Sequence, residues 1–168
     1  MQNKVKPNFE QILKENKDKI YRICRIYAVS PIEPEDLFQE VIYQTWKAIS
    51  TFEGKSSIST WIYRIALNVC LGSKKEIEKK NGKMVRLESI QFEPASSVPD
   101  RSQQEKYKAL HDCIYSLNEK DQSIVILSLE ELPYKEIAKI IGLTENHIAV
   151  KMKRIRKVLL NCITYKLR

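Results

Sequence analysis

Apolar side chains recur at three- and four-residue intervals along most of this chain, a spacing that suits helices and suits strands poorly. Phe9, Ile12, Leu13, Ile20, Ile23 and Tyr27 set the first stripe, over residues 8–29. The Ser30-Pro31 step interrupts it, because proline lacks a donor and disfavours helix in the residue before it. A second helix is expected from Pro34, with Glu35 and Asp36 in its first turn and an apolar face of Leu37, Phe38, Val41, Ile42, Thr45 and Ile49. Phe52 to Ser57 reads as a loop, and a third stripe follows through Ile58, Trp61, Ile62, Ile65, Ala66 and Val69. Only four glycines occur among 168 residues, which again disfavours a turn-rich sheet protein.

Past Gly72 the apolar rhythm fades into a run of lysines and glutamates. Residues 88–103, with Pro94, Pro99, several serines and the acids Glu88, Glu93 and Asp100, read as a tether. Periodicity returns near Gln104 through Tyr107, Leu110, Cys113, Ile114 and Leu117. Asn118 is a candidate N-cap for a further helix running to about Glu131. The expected fold is therefore all-α. A helical bundle of three or four helices over residues 1–80 leads through a flexible linker, 81–103, to a four-helix domain over 104–168.

Residues 134–157 carry the most specific pattern. Two short helices that cross steeply need a small residue at the contact and a residue at ease with positive φ in the turn. Ala138 and Gly142 stand at those places, with Ile137, Ile141, Leu143 and Ile148 facing the expected core. Thr144 can cap the second helix. That helix buries Met152, Ile155 and Leu159 and surrounds them with Lys151, Lys153, Arg154, Arg156 and Lys157. Residues 133–168 hold nine basic and two acidic side chains, whereas residues 87–132 hold four and nine. A helix-turn-helix that ends in such a cationic helix fits duplex DNA, where phosphates reward charge and base edges offer acceptors. A solvated basic face is the plainer explanation of the charge alone. The spacing of Ala138, Gly142 and Thr144 favours DNA.

Other chemistry finds little support. The chain has no Gly-rich phosphate loop and no clustered His and carboxylate set, so no catalytic residues, metal site or cofactor are expected. Cys24, Cys70, Cys113 and Cys162 are widely separated among apolar neighbours, and buried reduced thiols are expected at all four. The longest aliphatic run, Ile124-Val125-Ile126-Leu127, is far too short for membrane insertion, and the start lacks a secretion signal, so a cytoplasmic protein is expected.

Two motifs together resemble a known family. Tyr134-x-Glu136-Ile137-Ala138-x-x-x-Gly142-Leu143, followed by Ile148-x-x-x-Met152-x-Arg154-x-Arg156, is similar to region four of sigma factors. Glu35-Asp36-Leu37-x-Gln39-Glu40-Val41, then Trp46, then Phe52-x-Gly54-Lys55-Ser56-Ser57-x-x-Thr60-Trp61-x-x-Arg64-Ile65-Ala66-x-Asn68, resembles region two of extracytoplasmic-function (ECF) sigma factors. The resemblance implies an alternative sigma factor that binds core RNA polymerase and helps to melt promoter DNA. Asp36, Leu37, Gln39, Glu40 and Trp46 would dock on the beta-prime subunit, with the beta subunit a further contact. An ordinary capped helix explains Glu35 and Asp36 equally well. Phe52, Gly54, Lys55, Ser56 and Ser57 would receive a base flipped from the −10 element, with Trp61, Arg64 and Asn68 beside it. A plain interhelical turn is the alternative for that loop, and Trp61 is assigned mostly to the core. Asn146, His147, Val150, Lys151, Lys153 and Arg154 would read the −35 element. Ala149 and Val150 depart from the polar or basic residues that many relatives carry there. The linker would follow the path of nascent RNA, although a simple tether has the same composition. The resemblance allows an anti-sigma factor as a further partner and implies a monomer when free. The residues alone also fit an ordinary regulator with a sensing or dimerising bundle, or a scaffold that grips acidic proteins.

Overall fold

The computed structural model describes residues 8–82 and 100–168, and among these every regular element is helical. The chain divides into two compact units, Met1–Ser89 and Ile90–Arg168. Most of the expected linker, including Glu88 and Glu93, lies outside the described residues. Its two ends are helical, one in the helix that closes at Asn81 and the other in the helix that opens at Arg101.

The first unit is a three-helix bundle of α1 (Phe9–Tyr27), α2 (Pro34–Ala48) and α3 (Ile58–Asn81), with a single 3-10 turn at Ile49–Thr51. Asn8 starts α1 by accepting a hydrogen bond from the Glu10 amide at 3.0 Å. The helix ends at Tyr27, ahead of Ser30-Pro31, and buries Ile12, Ile20, Ile23, Cys24 and Tyr27. A capping box formed by Glu33 and Asp36 opens α2, with Pro34 in its first turn. Ser57 opens α3 by accepting from the Thr60 amide at 3.1 Å.

α3 departs from the expected pattern in two respects. Its core face runs through Ile62, Tyr63, Ala66, Leu67, Cys70 and Ile77, while Trp61, Ile65 and Val69 from the expected stripe are only half-buried. The reason is α1, which claims the Tyr63–Cys70 side. The Tyr63 hydroxyl donates to Asn16 Oδ1 at 2.9 Å, and the Cys70 thiol lies within hydrogen-bonding reach of Cys24. The helix also continues well past Gly72. Lys74 buries its aliphatic stem and keeps its ammonium 3.7 Å from Glu78, so a lysine extends the stripe that the apolar residues begin.

The Asn16 site supplies a test of this packing. Asn16 is buried, donating to the Ile12 carbonyl at 2.8 Å and accepting from Tyr63. Tyr63→Phe removes that donor from a buried carbonyl oxygen and should destabilise the unit by about 1–3 kcal/mol. Urea unfolding of the full chain measures it, and a stability equal to wild type would refute the assignment.

The second unit packs α4 (Arg101–Tyr115), α5 (Glu119–Leu129), α6 (Tyr134–Ile141) and α7 (Glu145–Lys166). α5 is its centre, for every residue from Asp121 to Leu127 is buried. Asn118 caps it as expected, accepting from the Asp121 amide at 3.0 Å. The buried Gln122 amide donates to the carbonyls of Tyr115 and Leu117, both at 2.9 Å, and so ties the α4–α5 turn to α5. Tyr107, expected on the apolar stripe of α4, is exposed, and Ala109 takes part in the core instead.

The cysteine expectation holds for two residues and fails for two. Cys24 and Cys70 are free and buried, and their mutual hydrogen bond together with burial pushes the Cys70 thiol far above its usual pKa. Cys113 and Cys162 form a disulfide that joins α4 to α7 across a separation of 49 residues. Helix pairing brings them to a Cα–Cα distance of 5.9 Å, which chain spacing alone does not reveal.

Candidate nucleic-acid interface

In the second unit, α6 ends at Gly142, whose φ of +79° closes the helix by directing its amide and that of Leu143 to the Ala138 carbonyl, at 2.9 and 3.0 Å. Any L side chain here would be strained, so the glycine fixes the turn. Thr144 then starts α7 by accepting from the His147 amide at 3.2 Å. Ile137, Ala138 and Ile140 of α6 and Ile148, Met152 and Ile155 of α7 are the buried residues of the pair, which packs together and against α5. Ile140 occupies the deep position that the sequence pattern gives to Ile141, which is half-buried, as are Leu143 and Leu159.

This packing decides which residues α7 presents. Asn146, His147, Lys153 and Arg154 are exposed, forming a polar and basic face that begins at a capped helix start and includes the exposed aliphatic Val150. Lys151 differs. Only 20% of its side chain is exposed, and its ammonium donates to Asp121 Oδ1 at 2.9 Å. Arg154 reaches the other oxygen of the same carboxylate at 3.2 Å while its side chain stays 64% exposed. Burial raises the pKa of Asp121. The hydrogen bonds from Lys151 and Asn118 and the charges of Lys151 and Arg154 outweigh that effect and hold the carboxyl below its ordinary range. The sequence offered no signal for Asp121, which lies 30 residues before Lys151.

In the first unit, the loop between α2 and α3 holds the Phe52 ring 5.3 Å from that of Trp61. Gly54 turns the chain with a φ of +72°, and no atom stands within 4 Å of where its Cβ would be. Lys55 is exposed and pairs with Glu53. Both serine hydroxyls already have partners: Ser57 is taken by the cap and by Thr60 Oγ1 at 2.7 Å, and Ser56 Oγ donates to the Ser57 carbonyl at 3.2 Å. Arg64 and Asn68 are exposed at one and two turns beyond Trp61, on the same side of α3.

α2 turns a third surface outward. Asp36, Gln39, Glu40 and Trp46 are exposed, but Leu37 is buried at 2% and belongs to the core, a correction to its expected docking role. Tyr43, which the motif did not mark, stands one turn before Trp46 and is 51% exposed against 62% for the tryptophan. Lys47 lies 6.0 Å from the Tyr43 ring centroid. A groove of about 740 Å³ runs between α2 and α3, with Ile65 and Val69 on one wall and Glu40 and Gln44 on the other. Among the described residues no cluster of His, Cys, Asp or Glu could hold a metal ion, and no helix is long and apolar enough to cross a membrane.

One helical unit carries aromatic side chains at its surface, and a second ends in a capped basic helix after a helix-turn-helix, an arrangement that suits a two-part DNA-binding protein. The family model for Sigma-70 region 2 matches residues 12–76, and that for Sigma-70, region 4 matches residues 107–159. The chain belongs to the sigma-70 family, in the ECF group of alternative sigma factors that serve transcription initiation. It is 26% identical to the ECF RNA polymerase sigma factor SigW of Bacillus subtilis over 161 residues, covering 90% of this chain and 86% of that protein. It is likewise 26% identical to the ECF RNA polymerase sigma-E factor of Haemophilus influenzae over 172 residues, covering 94% and 88%. A 39-residue stretch is 54% identical to the ECF sigma factor SigG of Mycobacterium tuberculosis, spanning 23% of this chain and 10% of that protein. The fold is similar to that of the sigma factor RpoE in its co-crystal with the anti-sigma factor NepR from Bartonella quintana. The TM-score is 0.71 at 19% identity, over 93% of this chain and 96% of that one. It is also similar to CnrH in complex with the cytosolic domain of CnrY, at a TM-score of 0.66 and 15% identity, over 94% and 88%.

Proposed function

We propose that this chain binds core RNA polymerase through the outer face of α2, contacts the −10 element with the Phe52–Ser57 loop and the Trp61, Arg64 and Asn68 side of α3, and reads the −35 element with α7. It supplies recognition and strand opening, and the polymerase supplies the chemistry. The observation that carries this reading is the exposed face of α7, where Asn146, His147, Val150, Lys153 and Arg154 project from a helix whose start is fixed by Gly142 and Thr144. A helix so anchored can lie in a major groove with its first turns against base edges. In the first unit, Phe52 and Trp61 offer the stacking surface that an unstacked base needs to recover the few kcal/mol lost on leaving the duplex. The proposal places this action in the cytoplasm and takes the free protein as a monomer. Solved complexes of two similar folds, RpoE with NepR and CnrH with CnrY, support an anti-sigma factor as a further partner.

In vitro transcription with purified core polymerase and mapping of the start sites test the proposal. Initiation should appear at sites that core enzyme alone ignores. Arg154→Ala should cost about 1–3 kcal/mol of discrimination at the base pair it reads. Unchanged promoter choice in that variant would remove Arg154 from the reading set, and no redirected initiation on any template would sink the proposal as a whole.

A further inference from the structure

Asp121 presents a problem that its own helix cannot solve. It stands in the first turn of α5 with 5% of its side chain exposed, so its charge has lost most of its water and must be met by protein partners. Asn118 supplies one, its amide donating to Oδ2 at 2.9 Å. The other two come from α7, where Lys151 donates to Oδ1 at 2.9 Å and Arg154 to Oδ2 at 3.2 Å. The two cations sit one turn apart on the reading helix, and a single carboxylate joins both to the core of the unit.

The consequences for the two cations differ. The Lys151 ammonium is turned inward, its charge already neutralised, and a phosphate would have to compete with a partly buried ion pair to recruit it. Arg154 uses only one Nη on Asp121 and remains largely exposed, so the rest of its fork points outward from a fixed anchor. A guanidinium reads a base edge through two donors of set direction, and holding one end restricts the orientations that the other can adopt.

We propose that Asp121 is a positioning residue for promoter reading: it aims Arg154 at the groove and withholds Lys151 from the phosphate backbone. The role of Lys151 is thereby moved from DNA contact to internal support. This inference rests on the assignment of α7 to the −35 element, and the experiment separates failure of one from failure of the other.

The full chain is reconstituted with core RNA polymerase and used to select from a duplex promoter library randomised across the −35 element. Wild type must enrich a −35 sequence, and if it enriches none, the assignment of α7 itself is wrong. Asp121→Asn keeps the side-chain size but cannot hold two cations. Base preference at the position that Arg154→Ala flattens should fall at least about fivefold in Asp121→Asn, and freed Lys151 should steepen the log–log salt dependence of binding by about one. Lys151→Met should keep the wild-type salt slope, because no phosphate contact is lost, and this second arm stands even if Asp121→Asn folds poorly. A role in stability alone predicts a uniform loss of affinity with base preference and salt slope preserved. That result overturns the proposal, as does a shallower slope in Lys151→Met.

Discussion

Replacing Cys113 and Cys162 with alanine is expected to lower the melting temperature of the second unit by roughly 15 °C or more, and to leave the transition of the first unit in place. The bridge closes a loop with a sequence separation of 49, and chain entropy in the unfolded state assigns such a loop about 4 kcal/mol. In a domain of this size each kcal/mol moves the midpoint by about 4–8 °C. The local packing points the same way. Ile155 is the last buried residue of α7, and beyond it Val158, Leu160 and Tyr165 are exposed. Apart from the bridge, the end of the helix is tied to α4 by Lys166 and Asp112 at 3.3 Å, a partly exposed pair of the kind that contributes little. Calorimetry of the full chain and of the double variant makes the comparison. Thiol titration in denaturant, without reductant, should count two free thiols, those of Cys24 and Cys70. A count of four would show the bridge to be absent from the purified protein.

Local signals were legible in the sequence, and signals that depend on distant partners were not. Gly142, Thr144 and Asn118 act within one turn of themselves, and each does in the structure what its residue type suggests. The α3 stripe was read correctly at Ile62 and Ala66 but continued through Ile65 and Val69, which look as apolar as the buried Leu67 and Cys70, and only the position of α1 decides between them. The continuation through Lys74 and Ile77 was hidden by charge, since a lysine that buries its stem resembles any solvated lysine in a sequence. Asp121 and its two cations are 30 and 33 residues apart, so no spacing rule links them, and Lys151 was counted with the DNA-facing residues for that reason. Leu37 was grouped with its motif neighbours although its place one turn before Val41 already put it on the inner face of α2.

Trp46→Ala is expected to weaken binding to core RNA polymerase by about 30-fold or more, with the melting temperature of the first unit unchanged. The acids at the start of α2 do not decide whether this helix docks, because Asp36 accepts from the Glu33 amide at 3.2 Å and so has a capping role within the chain. Trp46 has no comparable internal role. It is 62% exposed on a helix whose opposite side packs through Leu37, Val41 and Thr45, and Tyr43 lies beside it at 51%. Two large aromatic side chains one turn apart in water are costly to leave uncovered and well suited to an interface, where buried tryptophan and tyrosine carry much of the affinity. Truncating such an anchor costs about 2 kcal/mol or more, which is the 30-fold stated, whereas removing an exposed side chain from a folded helix changes stability by about 0.5 kcal/mol at most. Titration of labelled full-length protein with core polymerase reads the affinity, and thermal unfolding serves as the control. An affinity equal to wild type would restrict α2 to an ordinary capped helix and move the docking surface elsewhere in the first unit. A loss confined to the Trp46 variant, with Asp36→Asn close to wild type, would place the contact on the aromatic end of the helix and leave its acidic start to capping.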